Sequence, residues 1–444
     1  MGNGSCMHQH IKETEMISID SRGAGEGKTT TGIYPKIELL QALNENVLLV
    51  VPGKELQKQY EDYFANPDFV KINSDTDDGV CFNIIKTLTN RKNQIICITH
   101  EAFIRMAIPL HIKKHWHLII DEAFMPFRSV SWTSSNNAID WSNLIELPKD
   151  LVLDDTIPFV TVTIRDQEDS WTEQIREVMQ LKNRDWETQC RTDSYQLLKS
   201  NTCGRAEFIQ ILTISRIQHW KSVHIAAAAF EQTFMRYWLD YNHEPYEIKF
   251  PFVRRQLPII VHSPEELNWS KYKQQKSVDI IQRYSEYVNR ICAEEHLEPL
   301  CVRNNSSKNK LDNELKLKHN PHGMNHLTHF SAVSLETALN PSGEFVSWFK
   351  QNLDLKETQI TSAFSSYMFY QILMRTCLRL KDNTQTCHVF ILDFKTLVEL
   401  GNYISFDINQ MKTIDVGVKP KSLAAKRMER MRKRQKGLLD PIRP

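Results

Sequence analysis

The chain has 444 residues, of which 41% are hydrophobic and 25% charged, enough for a sizeable core and for more than one domain. Lys plus Arg is 55 and Asp plus Glu is 54, a net charge of +1. A global electrostatic field is thereby excluded, and any nucleic-acid surface has to be a local patch. No apolar run approaches the ~20 residues that cross a bilayer. The N-terminal residues lead into polar sequence and not into an apolar signal region, so a cytoplasmic protein is expected, in the host cytoplasm if viral. Gly2, Ser5 and Cys6 mimic an acylation signal, but the usual pattern wants Ser or Thr where Cys6 stands. Nine cysteines are scattered singly with no C-x-x-C pair, which reads as reduced core thiols. Cys6, His8 and His10 are discounted as a zinc cluster.

The first stretch alternates strands and helices. Residues 16–20 read as a short strand followed by a Gly-rich turn. Residues 29–43 read as a helix with Ile33, Ile37, Leu40 and Leu43 on one face. Residues 47–51 form a continuous apolar strand ended by Pro52-Gly53, followed by a helix over 55–64. Further strands are expected at 70–72, 95–98 and 118–120. Apolar strands alternating with helices predict an α/β fold with a doubly wound parallel sheet. From 125 to 218 the rhythm fades, and Trp132, Trp141, Trp171 and Trp186 lie there. We read this as an insert with some helix, for example 170–181, whose tryptophans serve as core or stack on bases. The rhythm returns at 223–225. A second αβ block starts near Lys249, with strands at 258–261, 299–302, 330–333 and 388–392 and helices at 278–293 and 367–380. The expected domains are a first lobe over 1–245, a second over 246–410, and a basic C-terminal tail over 411–444. Between 419 and 436 that tail holds nine Lys and Arg residues against Glu429 alone, which suits phosphate binding with strong salt dependence.

Residues 22–30 read RGAGEGKTT between a strand and a helix. Glycines let backbone N–H groups wrap a phosphate, and the helix start turns its positive end toward the same anion. Gly23, Ala24, Gly25, Glu26, Gly27, Lys28, Thr29 and Thr30 are the candidate ATP-binding residues. Lys28 reaches the β- and γ-phosphates and Thr29 ligates Mg²⁺. The strict phosphate-loop pattern wants Gly where Arg22 stands, and Gly25 to Thr29 supply the looser G-x-G-K-T core. Downstream, an apolar strand ends in Asp121-Glu122, at the edge of the sheet where ligands bind. Asp121 is expected to hold Mg²⁺ through water and Glu122 to deprotonate the attacking water.

Residues 118–124, LIIDEAF, resemble motif II of superfamily 2 helicases, the DEAD/DEAH-like group. Residues 50–56 resemble motif Ia, 98–103 motif Ib, 226–230 motif III, 323–333 motif V and 371–379 motif VI. The resemblance spans roughly 16–393 apart from the insert. It implies two RecA-like lobes of the P-loop NTPase kind, ATP and Mg²⁺ as cofactors, and single-stranded DNA or RNA as partner, DNA favoured. It implies an ATP-dependent helicase or translocase, in DNA replication or recombination, acting as a monomer or in a replication-type complex. The compact length is similar to helicases of phages or mobile elements. Motif III lacks its hydroxyls, since residues 226–229 are all Ala. In motif VI the second Arg falls four residues after the first, so Gln371, Arg375 and Arg379 are expected on one helix face as catalytic residues toward the γ-phosphate. Three alternatives stay open. One is an ATP-dependent clamp that does not unwind, and another is a motor subunit of a restriction or defence complex. The third is a packaging motor, which needs a nuclease lobe, for which the sequence offers only a lone Asp393.

Overall fold

Val, Ile and Leu dominate the first strands, and these pair in parallel. They are β1 (Ile17–Asp20), β2 (Asn46–Val51), β3 (Phe69–Lys71), β4 (Ile95–Thr99) and β5 (Trp116–Asp121). Five strands follow: β6 (Phe127–Thr133), β7 (Ile145–Glu146), β8 (Phe159–Ile164), β9 (Trp186–Arg191) and β10 (Arg205–Leu212). After these come β11 (Ser222–Ala226) and β12 (Tyr246–Phe250). The computed structural model describes residues 16–75, 79–90, 94–133, 141, 145–148, 156–164, 185–200, 205–304, 310–317, 325–380, 382, 384–407 and 410–417. The chain divides into two units. One comprises Met1–Arg255, His322–Asn325 and Pro341–Tyr367, and the other Gln256–Pro321, His326–Asn340 and Met368–Pro444.

The first unit holds a seven-stranded sheet in the order β12-β1-β11-β5-β2-β4-β3, parallel throughout. Val47, Leu48, Leu49, Val50 and Val51 are all at 0% exposure, as a strand covered on both faces must be. The strand that opens into the Gly-rich turn does not touch the strand that ends in Asp121, because β11 lies between them. The second unit holds a six-stranded parallel sheet. In spatial order its strands are Leu315–Leu317, Pro299–Val302, Ala332–Leu335, Cys387–Ile391, Ile259–Ser263 and Lys412–Thr413. The helix Val278–Glu294 buries Tyr284, Val288 and Cys292 in the core of this unit. Each unit is thus an α/β fold built on a parallel sheet.

The structure corrects four expectations. First, the described part of the insert holds, besides the helix Thr192–Lys199, a five-stranded antiparallel sheet that the sequence reading did not expect, β6-β10-β9-β8-β7. In β8, Val160 and Val162 are buried while Thr161 and Thr163 are not, a period-two pattern too short to stand out beside Pro158. Trp141 and Trp186 are core residues at 2% and 6% exposure, not stacking platforms. The helix expected at 170–181 lies outside the described residues. Second, β12, placed by sequence in the second block, pairs with β1 and extends the first sheet. Third, Lys412–Thr413 adds to the second sheet, so 411–417 is not tail. The basic run itself lies outside the described residues. Fourth, the helix expected over 367–380 stops at Leu373. Thr376 turns extended and caps a short 3-10 turn, Cys377–Arg379, and the Cys377 N–H donates to the Phe330 carbonyl at 3.0 Å.

A helix at Gly343–Asn352 belongs to the first unit although it follows much of the second in sequence. Phe345, Trp348 and Phe349 join the core that contains Phe127, Trp186 and Phe234. The Trp348 indole N–H donates to Gln189 Oε1 at 2.7 Å.

Candidate active site

The turn after β1 takes its shape from residue types. Gly25 and Gly27 have φ of 81° and 84°, a region that costs a side-chain-bearing residue about 1–2 kcal/mol. A Cβ on Gly27 would also stand 3.3 Å from Thr30 Oγ1. Arg22 needs no such freedom. Its guanidinium holds Asp20 Oδ2 at 2.5 Å and Thr31 Oγ1 at 2.8 Å, and it lies 4.9 Å over the Phe250 ring. That is why the position tolerates a large residue where the strict pattern has Gly. The helix behind the turn starts at Lys28 with π-type turns to Ile33 and continues as α-helix over Tyr34–Ala42.

Lys28 is 6% exposed. Its ammonium donates to the carbonyls of Arg22 at 3.1 Å and Gly23 at 3.2 Å, and stands 4.0 Å from Glu122 Oε1. The Gly23 N–H donates to Glu26 Oε2 at 2.7 Å, so this backbone donor already faces an anionic oxygen. Thr29 lies in the first turn of the helix. The structure thus brings two of the sequence-predicted site residues, Lys28 and Glu122, side by side.

Asp121 and Glu122 end β5 in two environments. Asp121 is 3% exposed and accepts the Tyr60 hydroxyl at 2.7 Å on Oδ2. Its own carbonyl lies 3.0 Å from His100 Nε2. Glu122 is 8% exposed and has a φ of 65°, a strained backbone of the kind found where a side chain has to be aimed. Its N–H donates to the Ala226 carbonyl at 2.8 Å. Its Oε2 lies 3.4 Å from both the Ala228 N–H and the Tyr367 hydroxyl.

No family model matches the chain, and no curated protein matches it. Among solved structures it is similar to Xpd4 of S. tokodaii, at 10% identity and a TM-score of 0.46, over 90% of this chain and 96% of that one. It is similar to an apo XPD structure at 12% identity and a TM-score of 0.44, over 87% and 94%. A third likeness is to the DUF1998 helicase MrfA bound to DNA and AMPPNP, at 10% identity and a TM-score of 0.34, over 89% of this chain and 48% of that one.

The alanines of 226–229 are fully buried, and the backbone N–H groups of this stretch are hydrogen-bonded. The Ala227 N–H donates to Asp20 O at 3.0 Å, the Ala229 N–H to Ser21 O at 3.1 Å, and the Phe230 N–H to Ser21 Oγ at 2.9 Å. Together with the Ala228 contact to Glu122, these tie the start of the phosphate loop to the end of β5. Side-chain reasoning could not see this, because any residue type supplies an N–H.

Of the remaining motif positions, Thr99 Oγ1 caps the helix His100–Arg105 by accepting the Ala102 N–H at 3.2 Å. Lys54 pairs with Asp75. Gly323 and Met324 lie outside the described residues. Gln371 lies in the last turn of an α-helix, Arg375 follows that helix in a turn and Arg379 closes the 3-10 turn, so the single helical face expected for them does not form. Gln371 and Arg375 are buried and Arg379 is half-buried. Asp393 accepts Trp269 N–H at 2.8 Å, Thr396 N–H at 3.1 Å and Thr396 O–H at 2.5 Å. It is a helix cap, and its oxygens are committed to that role. Among the described residues no cluster of three or more His, Cys, Asp and Glu side chains is placed to hold a metal ion. A Mg²⁺ site needs none, since one carboxylate, a hydroxyl and phosphate oxygens suffice. No described helix is long and apolar enough to cross a membrane.

The sequence missed Tyr60 and Tyr367. For Tyr60 a signal exists. Gln57 and Tyr60, three residues apart, are the buried residues of a helix otherwise rich in Lys, Glu and Gln, and a polar inward face asks for a polar partner.

Proposed function

We propose that the chain is an ATP-hydrolysing nucleic-acid motor of the superfamily 2 helicase kind, translocating on or unwinding DNA or RNA, with DNA favoured and replication or recombination as its setting. The observation that carries the reading is the convergence of Lys28, held at the mouth of a Gly-rich loop, with Asp121-Glu122 at the end of β5. Backbone N–H groups of residues 23–30 bind the phosphates, and Lys28 exchanges its carbonyl contacts for phosphate oxygens. Thr29 and Asp121 hold Mg²⁺, which when bound neutralises developing charge on the phosphates. Glu122, aimed by its strained backbone and the Ala228 N–H, accepts the proton of the attacking water. Gln371, Arg375 and Arg379 are the proposed second-unit contribution to the γ-phosphate, now from three local conformations instead of one face. The Ala backbone links supply a route from nucleotide state to the rest of the first sheet, which favours a motor over a passive clamp. The basic run after residue 418 is the proposed phosphate-binding tail, and truncation there should flatten the salt dependence of DNA binding.

The test is ATP hydrolysis by purified protein with and without single-stranded DNA or RNA, beside Lys28→Ala. Stimulation that the variant abolishes is the expected result. Hydrolysis without stimulation points to a motor subunit that awaits a partner. Nucleic-acid binding without hydrolysis overturns the motor reading in favour of a clamp.

A further inference from the structure

Asp121 is almost wholly buried, and a buried carboxylate stays charged only where donors face it. The Tyr60 hydroxyl is one such donor, at 2.7 Å, and Tyr60 is itself at 0% exposure. Phenylalanine would fill the same space, so the hydroxyl is what tyrosine adds here. Burial, then the charge of Asp121, push the phenol well above its ordinary range, which leaves it a neutral donor at any working pH. Its ring is clamped. Tyr34 meets it edge-on at 5.3 Å, and Tyr34 in turn stacks on Tyr63 at 3.6 Å.

The helix that carries Tyr60, Lys54–Phe64, is pinned by a second buried polar residue. Gln57 donates to the carbonyls of Cys97 at 2.9 Å and Ile72 at 3.3 Å, and accepts from Asn73 Nδ2 at 2.8 Å. These bonds fix the helix against β4 and the segment after β3, and so fix where the phenol oxygen falls. Tyr34 opens the α-helical part of the phosphate-loop helix. Three elements that build the phosphate site therefore meet at one tyrosine ring: the loop helix, the helix Lys54–Phe64 and β5.

We infer that Tyr60 is a positioning residue for the divalent cation of this site: its hydroxyl sets the orientation of Asp121 and ties it to the helix that opens at Lys54. The inference rests on the ATP-site reading above. That helix begins at the segment which resembles a nucleic-acid contact, so a shift of the helix on strand binding is transmitted to the metal-holding carboxylate through one hydrogen bond.

The experiment follows binding of a fluorescent N-methylanthraniloyl ATP to the full chain, in a Mg²⁺ titration and in excess EDTA. It compares wild type with Tyr60→Phe and Tyr63→Phe. Tyr63→Phe removes a phenol hydroxyl from the same helix, one that donates to Glu38 at 2.8 Å. Tyr60→Phe should raise the Mg²⁺ concentration at half-saturation ~10-fold, the scale of losing a partner that orients a metal ligand, with binding in EDTA unchanged. Tyr63→Phe should move neither. Adding Tyr60→Phe to Asp121→Asn should shift the Mg²⁺ midpoint no further than Asp121→Asn alone. A role in packing only would weaken both binding modes together. A wild-type Mg²⁺ midpoint retained in Tyr60→Phe overturns the inference and leaves the ATP site standing. Absence of Mg²⁺-dependent nucleotide binding in wild type overturns both.

Discussion

Each unit gathers polar residues at the carboxyl edge of a parallel sheet, yet the two edges are wired differently. On the first, Lys28 leans on backbone carbonyls and stands 4.0 Å from Glu122, beside a turn in which Gly25 and Gly27 take positive φ. On the second, Arg303 follows the strand Pro299–Val302 and Glu336 follows Ala332–Leu335. Arg303 pairs directly with Glu314 and lies 3.7 Å from Glu336 Oε2. Glu336 Oε1 accepts the Ser334 hydroxyl at 3.0 Å, and Asp393 is committed to a cap. On the second edge one arginine gathers both carboxylates, whereas on the first the charges divide into two pairs, Arg22 held tightly by Asp20 and Lys28 standing off from Glu122. A shared architecture thus carries two differently wired edges, and the chain connection after each strand decides the wiring.

Substitutions that break this contrast rank by size. Lys28→Ala should lower ATP turnover ~10³-fold with little change in the urea midpoint, and Glu122→Gln should do the same while nucleotide binding, read by fluorescence, persists. Arg303→Met should do the reverse. Two carboxylates left buried without their cation should cost about 3–5 kcal/mol in urea unfolding, with turnover per folded molecule retained. Gly27→Ala falls between these, with about 1–2 kcal/mol of left-handed strain appearing as weaker nucleotide binding. A further contrast is read from pH. Burial pushes His224, in β11, down to about 4 from its ordinary 6.5. The unfolded chain therefore takes up the proton first. Stability is full above about 6.5, declines by ~1.4 kcal/mol per pH unit as pH falls toward 4, and levels off below. His224→Asn should flatten that window in unfolding curves measured at stepped pH.

The Gly-rich turn before a helix and the strand ending at Asp121 were legible because glycines and contiguous apolar residues announce them, and the buried strands because parallel sheets demand unbroken apolar runs. Less legible was whatever a distant backbone imposes. The break after Leu373 follows from Cys377 N–H reaching Phe330 O, a bond no local periodicity announces. The short strands of the insert hide their alternation, and the backbone links of residues 226–229 have no sequence signature. Gln57 and Tyr60 mark a polar inward face on their helix, and only the fold sets Tyr60 against Asp121.

The helix Gly343–Asn352 has a consequence for how the protein is made. Phe345, Trp348 and Phe349 complete a core begun by Phe127 and Phe234, so the first unit is discontinuous in the chain. A nascent chain leaving the ribosome from its N-terminus has to expose that aromatic seat until the helix emerges, more than ninety residues past Arg255, after much of the second unit's sheet has been synthesised. Biogenesis of the first unit is therefore gated by translation of much of the second, and stop codons placed before residue 343 should yield products that chaperones retain or proteases clear.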